Sequence, residues 1–273
     1  MQITNDWIRG FVDGEGCFYI QKIKKNGIDT VRHRFIVTQD QKSVNVLYAL
    51  KTKLKCGGIH KNGKNMRAFQ VSNKNHIQNI IIPFFTKNPL LTQKKQDFLL
   101  FADSFNQYNH CNLHPYQHVP SKTLVLCTNS KEKQKITDGW IRGFIDGEGC
   151  FCVSMVRNYP RPQLIISLHE KEKHLLLDLK NYLNCGNIRK RKDGAVIFQV
   201  TSSKSLSHII FPLLVTKGNK VLLKTSKRIG FQKFKKIVEL ILQKQHLTEK
   251  GSQKIMKLRE NLNPVKTPSV FFF

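Results

Sequence analysis

Trp7 to Phe18 reads WIRGFVDGEGCF and Trp140 to Phe151 reads WIRGFIDGEGCF, one twelve-residue string written twice with a single Val/Ile exchange. Two copies predict two structurally equivalent half-sites. Each copy carries a pair of acids, Asp13 with Glu15 and Asp146 with Glu148, in a chain whose formal net charge is +28. Carboxylates set in so cationic a background point to chemistry on a polyanion.

The repeat extends well beyond these strings. Cys56-Gly57-Gly58-Ile59 answers Cys185-Gly186-Asn187-Ile188, Phe69-Gln70-Val71 answers Phe198-Gln199-Val200, and Pro83 answers Pro212 within similar apolar helices. The 133-residue offset of the tryptophans becomes 129 at these later matches, so a small deletion separates two copies of one domain. The predicted layout is a first half over 1–109, a linker over 110–135, a second half over 136–245 and an extension over 246–273. Thr248 is the expected cap of a helix in that extension, which ends in a Phe-rich tail.

Within a half the pattern predicts helix, two strands, helix, two strands, helix. The first helix runs from about Asn5, read as its N-cap, to about Gly14. Cys17–Lys24 and Val31–Gln39 follow as strands, with Phe18, Ile20, Phe35 and Val37 facing one way. Val44, Leu47, Leu50 and Leu54 recur at helical spacing, and Gly57 is the expected cap. Asn62-Gly63 and Asp193-Gly194 mark the turn of a second hairpin in each half. The fold class is α+β, two pseudo-symmetric αββαββα halves, each an antiparallel four-stranded sheet with helices on one face. The other face then stays open. Its outward positions include Tyr19, Gln21, Lys25, Arg32, Arg34, His60, Asn62 and Gln70, and in the second half Ser154, Asn158, Arg189, Arg191 and Gln199. Long polar side chains of this kind can read base edges in a major groove, although any one of them can equally be ordinary solvated surface.

Composition narrows the partner. Lys and Arg number 46 against 18 Asp and Glu, which fits nucleic acid or an anionic surface, while no apolar run is long enough to span a bilayer. The 7 cysteines form an odd set without a CxxC pair and read as buried, reduced thiols. Cys111, His114 and His118 lack a convincing fourth metal ligand and read as part of the linker rather than a zinc site. The first motif begins by Trp7, which leaves no room ahead of it for a targeting peptide. Heavy use of Lys, Asn, Ile and Phe, residues with A/T-rich codons, suggests a gene carried in an organelle.

Gly10 and Gly14 stand four apart, as do Gly143 and Gly147, giving each motif helix a bare stripe along which another helix backbone can approach. Packed side by side, the two helices bring Glu15 and Glu148 together at their C-terminal ends, where negative charge is unfavourable. A divalent cation relieves that strain, and Mg²⁺ accepts carboxylate, water and phosphate oxygens together. The implied chemistry is metal-dependent hydrolysis of a nucleic-acid backbone. Asp13 and Asp146 read instead as structural acids.

WIRGFVDGEG and WIRGFIDGEG resemble the signature of the LAGLIDADG homing endonucleases in their single-chain, two-motif form, and the likeness covers nearly the whole chain. It implies that the motif helices form the interface of a DNA-binding saddle. It implies that Glu15 and Glu148, with Gly14 and Gly147, bind the catalytic metal, Mg²⁺ with Mn²⁺ able to substitute. Gln39 resembles the residue that positions the attacking water, with His169 in the matching place of the second half. Lys94 and Lys227, flanked by Lys95 and Arg228, resemble the basic residues that act at the scissile phosphate. Arg9 and Arg142 depart from the small residue of the signature and must point away from the seam or pair with an acid.

The function expected is double-strand cleavage of a long asymmetric DNA target by a monomer with internal pseudo-twofold symmetry. An RNA-binding maturase of the host intron, and a catalytically silent DNA-binding regulator on the same fold, are the alternatives. Contacts to ~10 phosphates predict a slope near −9 in log affinity against log salt. A filter-binding salt titration giving a slope shallower than about −3 contradicts the polyanion reading.

Overall fold

The computed structural model describes residues 1–25, 28–110, 135–260 and 262. The Lys25 side chain, the Cys111, His114 and His118 cluster, and the Phe-rich tail lie outside the described residues. In chain order the elements are α1 (Asn5–Glu15), β1 (Gly16–Lys25), β2 (Ile28–Asp40), α2 (Val44–Leu54), β3 (Gly58–Lys61), β4 (Met66–Val71), α3 (74–87) and α4 (Lys94–His110). They recur as α5 (Asp138–Glu148), β5 (Cys150–Val156), β6 (Tyr159–His169), α6 (Lys173–Leu183), β7 (Asn187–Lys190), β8 (Ala195–Val200), α7 (203–214) and α8 (Lys227–Leu242), followed by α9 (Glu249–Glu260). The expected αββαββα order is present twice, with two helices rather than one after the fourth strand of each half. No described helix is long and apolar enough to cross a membrane.

Each half holds a four-stranded antiparallel sheet, in the orders β1-β2-β4-β3 and β5-β6-β8-β7. Alternation decides the two faces, because residues directly opposite across a ladder share a face. Phe18 lies opposite Phe35, Phe35 opposite Val71 and Val37 opposite Phe69, and all are buried. Rings from the helices complete this core, with Phe85, Phe98 and Phe101 each 5.3 to 5.6 Å from Phe18. In the second half Phe151 packs in the same way on Phe231 and Phe234. Ile20 departs from the expected pattern, since it is 37% exposed toward the end of the hairpin beyond this cluster.

Side-chain chemistry fixes the ends of the elements. Thr4, not Asn5, caps α1, its hydroxyl accepting from the Trp7 N–H at 3.1 Å. Thr137 does the same for Trp140 at 3.1 Å. The left-handed residue that ends α2 is Lys55 (φ 55) rather than Gly57, and Asn184 (φ 48) ends α6. Gly57 (φ 78) turns the chain two residues later into β3. Thr248 caps α9 through a 3.1 Å bond from the Gly251 N–H, as expected. Cys56 is buried, but Cys17 is exposed, and Cys150, Cys152 and Cys185 are half-buried. Cys17 and Cys150 occupy the open sheet face, so an apolar sequence context did not mean burial for them.

Contacts divide the chain into two compact units, Met1–Gly147 and Glu148–Phe273, so α5 packs within the first unit although the repeat assigns it to the second half. The reason is its packing on α1. A Cβ added to Gly10 would lie 1.9 Å from the Trp140 carbonyl oxygen, and one added to Gly143 would lie 2.0 Å from the Trp7 carbonyl oxygen. The helices run parallel, with Gly147 against Gly14 near their C-terminal ends. Arg9 is held off this seam by Asp6 at 2.8 Å and the Pro89 carbonyl at 2.9 Å, and Arg142 pairs with Asp138 at 3.6 Å.

Because the added methyl meets backbone that cannot move aside, Gly10→Ala or Gly143→Ala is expected to cost at least about 2 kcal/mol in chemical unfolding. Gly63→Ala, whose Cβ meets nothing within 4 Å, should cost only the left-handed backbone strain, about 1 kcal/mol. Equal losses in the three variants would remove the close-approach account.

Candidate metal centre and nucleic-acid interface

The candidate centre of the first unit grows out of the C-terminal end of α1. Asp13, 3% exposed, accepts four kinds of hydrogen bond: from the Leu91 N–H, from the Thr92 N–H at 3.0 Å, from the Thr92 hydroxyl at 2.6 Å and from the Trp140 indole at 2.7 Å. Asp146, 1% exposed, accepts from the Trp7 indole at 2.9 Å. The tryptophan opening each motif therefore bonds to the buried acid of the other copy. Both aspartates are structural, as the sequence suggested, but their donors are indoles, a hydroxyl and main-chain N–H groups rather than Arg or Lys.

Asp13 in turn sets the basic residue. It clamps the turn before α4, the Thr92 hydroxyl accepts from the Lys94 N–H at 3.3 Å, and the Lys94 ammonium donates to the Gly14 carbonyl oxygen beside Glu15. Of Lys94 and Lys95, Lys94 is the one that reaches the end of the motif. In the second unit the Lys227 N–H bonds to the buried Thr225 hydroxyl at 3.3 Å, the same local arrangement at the start of α8. Thr92 and Thr225 were missed by sequence reasoning, although TQK and TSK at the 133-residue offset carried the signal.

Gln39 lies near the end of β2, one pleat past Val37, which is opposite Gly16, the residue after Glu15. It is 8% exposed. Its expected counterpart requires correction. Phe35 is opposite Phe18 and Val71, and the residue opposite Phe151 and Val200 is Leu164. Four residues on, Gln39 corresponds to Leu168, and His169 corresponds to Asp40. Both of these last two act as caps, Asp40 accepting from the Lys42 N–H at 2.8 Å and His169 Nδ1 from the Lys171 N–H at 3.2 Å. Because the second hairpin is four residues shorter, the position equivalent to Gln39 is Leu168 rather than His169.

Among the described residues no group of three or more His, Cys, Asp or Glu could cage a metal. The donor set fits instead a cation that keeps waters and takes substrate phosphate oxygens, held by one carboxylate and one carbonyl per motif. The Gly14 carbonyl already faces a cationic group, the Lys94 ammonium.

Most of the polar side chains expected on the open face lie there. Tyr19 is opposite Arg34, Gln21 opposite Arg32 and His60 opposite Ala68, all on the side away from Phe18 and Phe35, and Gln70 is opposite Gly58 on that side. The Arg34 guanidinium stacks 4.8 Å over the Tyr19 ring and donates to Gln21 at 3.0 Å. Asn62 reaches Thr38 at 3.5 Å. In the second sheet Gln199 donates to Gln163, and Gln163 donates to Ser154 at 2.6 Å. Arg189 is exposed on the same face opposite Ile197, Asn158 sits in the β5–β6 turn (φ 65), and Arg191 pairs with Asp193 at 2.9 Å. Gln163 and Arg161 were missed, because Pro160 and Pro162 argue against a strand. They are tolerated where β6 extends past β8 and is paired on one side only.

The family model for the LAGLIDADG endonucleases matches twice, over residues 8–105 and 141–238. The chain belongs to the LAGLIDADG endonuclease family. It is 27% identical over 300 residues to "Probable intron-encoded endonuclease 2" of Neurospora crassa, covering 96% of this chain and 66% of that protein. It is 32% identical over 155 residues to "Probable intron-encoded endonuclease Cox1-I1b" of Schizosaccharomyces pombe, covering 53% of this chain and 40% of that one. The chain thus spans between two fifths and two thirds of the length of these curated relatives. The solved LAGLIDADG homing endonuclease I-GzeII, in complex with its DNA target, superposes with a TM-score of 0.82 at 27% identity, over 96% of this chain and 99% of that one. This agreement covers both four-stranded sheets and the α+β, two-unit layout.

Burial pushes the Asp13 carboxyl above its ordinary 3.8, while bonds from Thr92, Trp140 and Leu91 draw it partly back. A carboxyl whose pKa rises on folding adds stability that is complete below about pH 3.8 and is lost as pH climbs through the folded-state value. Asp13→Asn cannot ionise. Its stability relative to wild type is therefore expected to improve as pH rises above about 3.8 in urea unfolding, and a difference independent of pH would contradict the buried-charge account.

Proposed function

We propose that this chain is a site-specific, double-strand DNA endonuclease of the intron-homing kind, dependent on a divalent metal. The observation that carries the reading is the duplicated motif ending in Glu15 and Glu148, with Lys94 reaching the Gly14 carbonyl from a turn that Asp13 clamps. An acid kept in both copies suits cutting of both strands. Mg²⁺ is the metal best suited to so few protein donors, with Mn²⁺ as a substitute, held by Glu15, Gly14, Glu148 and Gly147. When bound, such a metal lowers the pKa of water and stabilises a leaving oxygen. The chain's own residues do the rest. Lys94 and Lys227 supply fixed positive charge at the phosphate undergoing attack, and the open sheet faces hold the duplex on either side of it. Water adds to phosphorus, the bond to the sugar oxygen breaks, that oxygen gains a proton and the water loses one to solvent.

The partner is double-stranded DNA, bound by a monomer whose two units are copies of one fold. The organelle origin is supported by the A/T-rich composition together with relatives described as intron-encoded. A second reading, binding of host-intron RNA, is favoured by one feature. From Gln41 to Gln96 the chain has no acidic residue, and Lys51 and Lys53 on α2 and Lys55 just after it are exposed, on the side of the sheet away from the open face.

With Mg²⁺ and a plasmid carrying the intronless junction of the host gene, wild-type protein is expected to yield linear product. Glu15→Gln or Glu148→Gln should stop double-strand cleavage while duplex affinity stays within about threefold. Linear product at the wild-type rate from both variants would end the metal reading. Intron transcript that binds without competing against the duplex would support the RNA site, and full competition would remove it.

A further inference from the structure

The residues after α8 take no part in the chemistry proposed above, yet they are fastened at two places to one hairpin of the second unit. That hairpin needs support. β6 pairs with β8 only from Leu164 onward, so residues 159–163 pair with β5 alone, and β5 is itself the outer strand of its sheet. A two-stranded ribbon is marginally stable in water. In the first unit the equivalent ribbon is tied to α4, where His33 Nε2 meets the Ser104 hydroxyl at 2.9 Å and the ring packs against Phe101 and Phe105. The matching positions of the second unit are Pro162 and Ile237, whose side chains form no hydrogen bond.

The C-terminal extension supplies a tie of another kind. Arg259 on α9 donates through Nε to the Val153 carbonyl oxygen at 2.9 Å, and Val153 stands opposite Pro162, which has no N–H to offer that oxygen. At the turn end of the hairpin the His246 ring packs edge-on against Tyr159, with centroids 6.4 Å apart. Between these ties an added Cβ on Gly251 would lie 2.0 Å from the Gln245 carbonyl oxygen, and Ile255 and Leu262 are buried. The hairpin so held carries Ser154, Arg161 and Gln163 on its open face.

We propose that the C-terminal extension is a strap that holds the β5–β6 hairpin in the pose that meets DNA, with Arg259 as its positioning residue. A hairpin tip that is ordered for only a fraction of the time weakens apparent affinity by that fraction. The strap therefore sets binding of the base pairs under this hairpin and leaves the cleavage step alone. This inference rests on the DNA reading above and gives the extension a part in it.

The test measures amide hydrogen exchange across residues 152–163, and affinity for the intronless-junction duplex with Ca²⁺ in place of Mg²⁺. Arg259→Ala is expected to speed exchange in the hairpin tip about tenfold, to leave β8 at wild-type rates and to raise Kd about tenfold. Cleavage of saturating duplex in Mg²⁺ should stay within about twofold of wild type. Gly251→Ala, which loosens the strap at a different contact, should give the same pattern. Arg259→Lys should restore most of the affinity by donating to the same carbonyl, and Lys254→Ala, on an exposed position of α9, should change neither reading. Tip exchange at wild-type rates in both Arg259→Ala and Gly251→Ala overturns the strap. So does a log–log salt slope shallower by about one in Arg259→Ala, which marks Arg259 as a phosphate contact instead. If wild-type protein binds no duplex, the DNA reading falls, and tip exchange alone still decides whether the extension holds the hairpin.

Discussion

The contact on which the rest of the first unit depends is the approach of two helix backbones at Gly10 and Gly143. With hydrogen atoms where side chains would be, carbonyl oxygens of each helix come within about 2 Å of where the other's Cβ would lie. Only at that separation do the indoles of Trp7 and Trp140 reach across to Asp146 and Asp13. A steric absence thus creates a polar crossover. The crossover then propagates outward, since Asp13 holds Leu91 and Thr92, Thr92 receives the Lys94 N–H, and the Lys94 side chain reaches the Gly14 carbonyl. A charged side chain beside Glu15 is placed by a chain of contacts that begins at a glycine.

This arrangement keeps an ionisable carboxyl almost wholly out of water. The cost of that burial is offset by donors that could not all be satisfied by a neutral side chain of the same size, because an ionised carboxylate accepts at both oxygens. The same acid makes the seam specific. A carboxylate facing an indole N–H at 2.7 Å defines a single register between the helices, whereas an apolar seam of the same area would tolerate slippage.

On the sheets, the two-residue alternation largely separates tasks. One face carries most of the aromatic and aliphatic core, and the other carries most of the Arg, Gln and Ser side chains. Some of the polar side chains are already tied to each other, as in the Tyr19, Arg34 and Gln21 group and the Gln199, Gln163 and Ser154 row. Such bonding orders the side chains before a duplex arrives and reduces the entropy lost on binding. The Leu168 substitution on the opposite, covered face shows the two units diverging where pseudo-symmetry would permit identity.

Much of this was legible in the residues themselves. The repeated string gave two copies of one domain, alternation gave the strands and their faces, and the Gly10 and Gly143 spacing gave the seam, since each of these depends on periodicity along the chain. What escaped depends on distance through space. Asn5 and Gly57 were natural choices as caps, but the hydroxyl of Thr4 and the left-handed Lys55 took those places because neighbouring packing set the backbone angles. Gln163 was hidden by flanking prolines that only a one-sided edge tolerates. A hairpin four residues shorter sets Leu168, not His169, at the place of Gln39, and only ladder register reveals which side chain stands where. The sequence by itself determined the elements, their faces and the acids at the end of each motif. The tertiary structure alone decided which atoms meet: the crossed indole and aspartate pairs, the route from Asp13 to Lys94, and the exchange of an amide for a leucine. Hydrogen bonding depends on separations of about 3 Å between residues that stand eighty or more positions apart in the chain.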